Sequence, residues 1–380
     1  MKLHDLVLRH GRDTARELVP SDQRYLVDIA AAVLGDEKLS LGYLYSGFAM
    51  TGLPHRRLPS DEQVWRRDNG RFSLIVEPGV VFNEMSQSVR YGVPYGSRAR
   101  LILLYLQSQA ILTSSRAINL GASMHAWMEK LGVNPGGTNY KAVRDQARRL
   151  SACTVTVGWR EDGGSSGFNR ASIVSSMMFI RNNSDGRQGA LWDETAELSH
   201  EFYEALRQHP VPVSEAAIRL IQNSSAVIDV YIWLCYRLRQ LARATDLSWS
   251  ALHAQFGSEY KTIRQFRAKF RQIVNEAVAV YPGAEVEITK NGLRLHPSAP
   301  AVSPVLVADR PRELSVPSCL EGFQLHADTV STFKKLYPGQ DVVHFERCWL
   351  NAQTGRPVPR YPDRQFLAWM AVCSRNRSKA

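Results

Sequence analysis

Two stretches of this chain carry groups suited to gripping an anionic polymer, set at helical spacing. The first is TNYKAVRDQARRL, residues 138–150. At about 100° per residue, Val143, Ala147 and Leu150 fall on one side, with Tyr140 at its edge. Thr138, Lys141, Asp145 and Arg148 fall opposite, and Arg144 and Arg149 flank that outward face. The second is EYKTIRQFRAKFRQIVNEAV, which begins at Glu259. Its Ile263, Phe266, Phe270, Ile273, Val274 and Ala277 predict a continuous apolar stripe. Lys261, Arg264, Gln265 and Arg271 lie on or beside the other face, and Arg267 lies near the apolar edge, where its stem can snorkel. From Lys261 to Arg271 there are five basic residues and no acidic one. Lys and Arg bind phosphate oxygens, and Arg also matches guanine edges in the major groove. Asp145 is the anomaly on the first face. It orients a neighbouring Arg, accepts from a cytosine amine, or only balances charge. A solvated surface explains one such helix as well as DNA contact does. Two at equivalent places in a repeated architecture favour a shared role.

Other chemistry finds little support. There is no GxxxxGK[ST] loop for cradling phosphates, no HExxH and no GxSxG. His200, His209, His253 and His296 are isolated, and no close His pair sits among apolar residues. The five cysteines, Cys153, Cys235, Cys319, Cys348 and Cys373, are 25 or more residues apart, which suits neither a zinc knuckle nor a redox CxxC. Such usage fits a reducing cytosol, and Cys235, inside an apolar run, reads as a core residue. The expectation is a non-enzyme with no cofactor and no metal.

Composition agrees with the two basic stretches. In 380 residues, 47 Lys plus Arg against 36 Asp plus Glu leave a net charge of +11, which favours an acidic partner. A hydrophobic share of 44% describes a globular chain rather than a disordered one. The start, MKLHDLVLRHGRD, has no apolar segment of signal-peptide length. The most apolar helical run, SAVIDVYIWLCYRL, carries Asp229 and Arg237 and is shorter than the roughly 20 residues a span needs. The expectation is a cytoplasmic protein with no membrane association.

The elements that must hold the basic helices are readable in outline. A helix is predicted from a cap at Ser21 toward Leu34, stopped by Gly35, then a basic loop, LPHRRLPSDEQVWRRDNGR (53–71), then a strand in FSLIVEPG (72–79). Arg56, Arg57, Arg66 and Arg67 in that loop suit a DNA-contacting arm, but a solvated loop is the favoured reading. Residues 96–183 then give a helix over Ser97–Leu112, a short strand at 117–121, and helices over Ser123–Leu131 and Thr138–Leu150. Strands at 153–159 and 171–180 follow, separated by the Gly/Ser-rich REDGGSSGFNR. Three helices followed by a hairpin with a long tip is the pattern of a winged helix. Residues 190–298 repeat it, with helices over Ser199–Gln208, Ser224–Arg243, Trp249–Phe256 and Glu259–Val280. Strands at 285–288 and 293–296 flank the turn Lys290-Asn291-Gly292. Wing positions Arg160, Arg170, Lys290 and Arg294 are candidate phosphate contacts.

The predicted architecture is therefore α+β, with tandem winged-helix domains and a small C-terminal helical module. The domains are an N-terminal region over 1–95, a first winged helix over 96–183 and a second over 190–298. A linker over 299–317, stiffened by prolines such as Pro300, Pro304, Pro311 and Pro317, leads to the module over 318–380. That module is expected to contain short helices over Ala327–Leu336, Val342–Ala352 and Asp363–Ser374.

Several strings resemble one family in order and spacing. YGVPYGSRARLILLYLQSQAI (91–111), LGASMHAWMEKLGVNPGGTNYKAVRDQARRL (120–150), HPVPVSEAAIRLI (209–221) and LHAQFGSEYKTIRQFRAKF (252–270) resemble the plasmid-encoded RepA replication proteins. The likeness extends over roughly 40–300. It implies an initiator that binds repeated double-stranded sites at a plasmid origin, opens or bends the DNA beside them, and recruits host replication proteins such as a host initiator and the replicative helicase. It implies DNA contacts on the helices at 138–150 and 260–271. One departure is TNYK after Gly136-Gly137, where the family pattern suggests a smaller, Gly-containing helix start; this bears on base preference. A transcriptional repressor with the same fold is the competing reading, and a monomer–dimer equilibrium is expected.

Overall fold

The runs at 101–106 and 227–235 are apolar on nearly every side, and a helix with no polar face is stable only when other elements surround it. Both runs form central helices in the computed structural model. The structure describes residues 3–36, 40–70, 72–82, 87–121, 123–160, 166–177 and 194–302, then 325–337 and single positions as far as Met370.

Helix α1 (Leu3–Glu17) and, after a 3-10 turn at Ser21–Gln23, helix α2 (Arg24–Leu34) lead to β1 (Leu41–Tyr45) and the short α3 (Ser46–Met50). Strands β2 (Trp65–Asp68), β3 (Phe72–Glu77), β4 (Gly79–Phe82) and β5 (Ser88–Tyr91) follow. Next come α4 (Gly96–Thr113), β6 (Ala117–Gly121), α5 (Met124–Lys130), α6 (Gly137–Ala152), β7 (Thr154–Arg160), β8 (Ser166–Ser172), β9 (Val174–Met177) and β10 (Glu194–Leu198). Then α7 (His200–Gln208), β11 (Pro210–Ser214), α8 (Glu215–Leu220), α9 (Ser225–Leu238), β12 (Thr245–Ser248), α10 (Trp249–Phe256), α11 (Ile263–Ala279), β13 (Val286–Ile288) and β14 (Gly292–Leu295) complete the first part. Helix α12 (Ala327–Leu336) lies beyond it. The fold is mixed α+β.

The order helix, strand, helix, helix, hairpin occurs twice, from α4 to β8 and from α9 to β14. The sheets differ. In the second run the hairpin takes in the strand between its helices, in the order β12-β14-β13. In the first run the hairpin is extended by N-terminal strands into β2-β3-β7-β8, while β6 joins β10 and β9. Strand β1 pairs antiparallel with β11, Leu41 opposite Ser214 and Tyr45 opposite Pro210. The N-terminal region thus supplies strands to two sheets. One hydrophobic core reaches from Leu44 to Leu295 and draws on both runs. The chain divides into two compact units, Met1–Ser303 and Pro304–Ala380. In the second, Leu325, Phe333, Trp349, Phe366 and Met370 form a small core of their own.

Helix starts follow local chemistry. Ser123, Ser199, Ser214, Ser224, Ser248 and Thr262 each occupy an N-cap and accept a hydrogen bond from the amide three residues on. The cap at Thr262 corrects the expected start at Glu259: α11 begins at Ile263, and Lys261 stands in the turn before it. Helix α9 ends at Leu238 instead of Arg243, because Thr245 already pairs with Leu295 in the β12–β14 ladder. The expected loop and second hairpin strand are corrected: residues 166–170 are already strand in β8, paired with β7, while Val174–Met177 pairs with β10 instead. Residues 161–165, the linker from Ser303 onward, and most of the expected helices at 342–352 and 363–374 lie outside the described residues.

Candidate nucleic-acid interface

In α11 the apolar side is buried through Phe266, Phe270, Ile273, Val274 and Ala277, and Phe266 stacks on Phe270 at 4.7 Å. The stripe starts one turn later than the spacing suggested, since Ile263 is 42% exposed. Arg264, Gln265 and Arg271 are exposed on the helix, as is Lys261 just before it. Arg267 is half-buried, as an amphipathic side chain at the stripe's edge should be.

The turn of the β13–β14 hairpin is fastened to this helix. Trp249, buried at the head of α10, donates from Nε1 to the Lys290 carbonyl (3.1 Å) and from its backbone N–H to the Asn291 carbonyl (3.0 Å). Arg267 donates to the same Lys290 carbonyl (3.3 Å). The guanidinium carbons of Arg267 and Arg271 lie 5.4 and 5.6 Å from the Trp249 ring centre, within cation–π range. Gly292 has φ +159° and sits so close to the Leu247 carbonyl that a Cβ there would lie 1.8 Å from its oxygen. The Lys290 side chain is therefore exposed on a turn whose backbone is fixed beside α11. Arg294 is held instead by Asp246 through two hydrogen bonds of 2.8 and 3.0 Å, which keep its pKa raised and the carboxyl's lowered.

Helix α6 starts at Gly136-Gly137 without a side-chain cap. Thr138 and Lys141 are exposed, Arg144 and Arg148 are half-buried, and Val143, Ala147 and Leu150 are fully buried as the periodicity required. Arg149 lies off the outward face, with only 4% of its surface exposed. Its Nε donates to Asp145 (2.9 Å) and its Nη1 to Asp61 (3.1 Å), and its guanidinium lies over the Tyr95 ring at 5.2 Å. Burial opposes its charge, but the two carboxylates more than offset this and raise its pKa. The structure gives Arg149 a packing role, and it gives Asp145 the task of orienting that arginine. Asp61 is 88 residues away in sequence, so helical periodicity carried no sign of the pairing. On the first hairpin Arg160 is exposed, and Arg170 pairs with Glu77 at 2.8 Å.

The basic loop sorts into distinct environments. Arg57 pairs with Asp61 (2.6 Å) and Arg66 with Asp68 (2.9 Å). Arg67 is buried, stacks over Trp65 and donates to the Gln255 carbonyl. Arg56 projects outward. The histidines singled out in the sequence do not converge: His296 meets Glu287 at 3.0 Å, and the His253 ring packs on Phe266. No group of three or more metal-ligating side chains occurs among the described residues. Cys153 and Cys235 are buried, and burial pushes both thiols up to about 12. No helix among the described residues is long and apolar enough to cross a membrane.

This is a mixed α+β chain in which two helices with basic outer sides are each followed by a hairpin. Residues 93–251 match the family described as plasmid encoded RepA protein. The match runs from just before α4 into α10, so it includes α6 and stops short of α11. No curated protein matches the chain. Among solved structures, selenomethionine derivatives of domains 2 and 3 of RctB are 12% identical with a TM-score of 0.43, covering 68% of this chain and 99% of that chain. A second structure of RctB domains 2 and 3 is 13% identical with a TM-score of 0.37, covering 60% and 81%.

Proposed function

We propose that the chain is a plasmid replication initiator. It binds repeated double-stranded DNA sites at an origin through two winged-helix units, promotes opening of the adjacent DNA and recruits host replication proteins. Helices α6 and α11 enter successive major grooves, as the last helix of a helix-turn-helix does, and the hairpins hold phosphates. The observation that carries this reading is α11, where Lys261, Arg264, Gln265 and Arg271 stand outward with Lys290 fixed beside them. Such a surface meets phosphates with its Lys and base edges with Arg and Gln. Thr138, Lys141, Arg144 and Arg148 supply the corresponding surface of α6. The family match over 93–251 supports the plasmid setting. The reading assigns no catalytic step, cofactor or metal, and it locates the protein in the cytoplasm with its DNA.

The test is replication of a plasmid that carries the cognate origin, with the chain supplied in trans. Wild type is expected to sustain the plasmid, and Arg264→Ala to lose it. Tight origin binding with no replication in a permissive host would instead support a repressor.

A further inference from the structure

The N-terminal ends of α6 and α11 are joined by a short path of contacts, and the loop that follows α3 lies in the middle of it. Asn139, in the first turn of α6, accepts from Arg98 Nη2 at 3.0 Å, and Arg98 stands in the first turn of α4. The Gly96 N–H at the head of α4 donates to the Pro54 carbonyl (3.0 Å). The next residue, His55, donates from its backbone N–H to Glu259 Oε1 (3.3 Å). Three residues after Glu259, Thr262 caps α11. Arg56 is the residue that follows this path in sequence, and its side chain lies beside Glu259, ahead of the α11 cap.

The backbone on which Arg56 rides is fixed. Residues 51–54 are buried, Arg100 donates to the carbonyls of Leu53 (2.7 Å) and Pro54 (3.0 Å), and His55 Nδ1 meets Ser225 Oγ at 3.0 Å. The Arg56 side chain itself is 89% exposed, with Glu259 at the edge of ion-pair distance, 4.0 Å. It borders a cleft of about 250 Å³, whose rim also carries Lys269 and Tyr260. Arg57 and Arg66 are exposed too but are held by carboxylates at 2.6 and 2.9 Å, and Arg67 is buried, so Arg56 is the described arginine of this loop with the most exposed side chain and the longest ion pair.

We propose that Arg56 binds the sugar–phosphate backbone of duplex DNA in the interval between the segments read by α6 and α11. This rests on the reading of those helices as DNA readers. Two helices in successive major grooves leave backbone running across the gap between them. A cation on an anchored loop at that gap neutralises a phosphate without ordering new chain. The contact carries no base information, so it adds affinity on every sequence.

The experiment is a salt titration of the full chain on its selected duplex, comparing wild type, Arg56→Ala and Arg56→Lys. Arg56→Ala should bind about five- to tenfold more weakly at moderate salt, with a log–log salt slope shallower by about 0.9 and an unchanged melting temperature. Arg56→Lys should keep the slope. A neutral methylphosphonate at one backbone position between the two contacted grooves should erase the difference between wild type and Arg56→Ala. Unchanged affinity and slope in Arg56→Ala, while Arg264→Ala loses binding, overturns the proposal and leaves the reading of the helices standing. That result would point to an acidic protein partner for the loop. Absence of selective duplex binding by wild type overturns both.

Discussion

Arg100 grips Asp229 through two parallel hydrogen bonds, Nε to Oδ1 and Nη2 to Oδ2, each 2.7 Å. The pair joins α4 to α9, the first helix of each repeated run, with 5% and 11% of the side chains exposed. The remaining donors of Arg100 go to the carbonyls of Leu53, Pro54 and Gly96, so every N–H of the guanidinium is used. Gly52, at φ +105°, lies so close that a Cβ there would sit 2.8 Å from Asp229 Oδ2. One cation thus ties together α4, α9 and the loop that leads to Arg56.

Removing one partner of this pair strands the other charge in a low-dielectric site. Arg100→Met should destabilise the first unit by about 3–5 kcal/mol, measured by urea unfolding. Adding Asp229→Leu should return part of that loss, because the uncompensated carboxylate is gone. A double variant no more stable than Arg100→Met would show that the three carbonyl contacts, rather than the ion pair, hold the helices together.

His55 should give the protein's stability a pH dependence. Burial, then the nearby Arg100 charge, lower its pKa from 6.5 to about 4. Between those values the unfolded chain binds a proton that the folded chain does not, so stability rises with pH across this window. Going from pH 7 to pH 4.5 should therefore cost up to a few kcal/mol, at about 1.4 kcal/mol for each pH unit inside the window, with no further cost from this group below pH 4. Thermal melts across that range should show the decline, and His55→Asn should flatten it. An equally steep decline in the variant assigns the effect to other groups.

Trp249 and Lys290 should behave as one unit in DNA binding. Trp249→Phe keeps an aromatic ring but removes the Nε1–H that holds the Lys290 carbonyl. If that bond aims the lysine, Trp249→Phe and Lys290→Ala each weaken duplex binding, and the double variant is little worse than Lys290→Ala alone. Fully additive losses in a double-mutant cycle would separate the two residues.

The cap at Thr262 sets where α11 begins, through its Oγ1 and the Gln265 amide at 3.3 Å. Thr262→Ala should cost about 1 kcal/mol of stability. Because Lys261 and Arg264 flank the cap, duplex affinity should fall as well. A stability loss with intact affinity would place the DNA contacts further along the helix.

The middles of the helices and one turn were legible, while helix ends such as the start of α11 lie a few residues from where the sequence places them. The buried Val143, Ala147 and Leu150, the helix starts at Ser123 and Ser199, and the turn at Asn291-Gly292 each follow from residues within a few positions of one another, whereas Ser21, expected to cap a helix, stands in a 3-10 turn ahead of α2. What could not be read were partnerships between distant elements. The β1–β11 ladder joins residues about 170 apart. Arg149 has the spacing of an outward residue but is drawn inward by Asp61, and Arg294 looks like a wing contact but is neutralised by Asp246. The loop PHRRLP shows only a run of charge, and the buried carbonyl contacts of residues 53 and 54 separate Arg56 from its neighbours.

If α6 and α11 are DNA readers, they read one DNA site together. Selection of bound duplexes from a random library, followed by titration of the winner across salt for wild type and Arg264→Ala, tests it most directly. The expected result is one extended motif spanning two major-groove segments, affinity that falls steeply with salt, and a loss of about 1–3 kcal/mol in Arg264→Ala confined to one segment. No enriched motif, or a motif that Arg264→Ala reads as well as wild type, would contradict it.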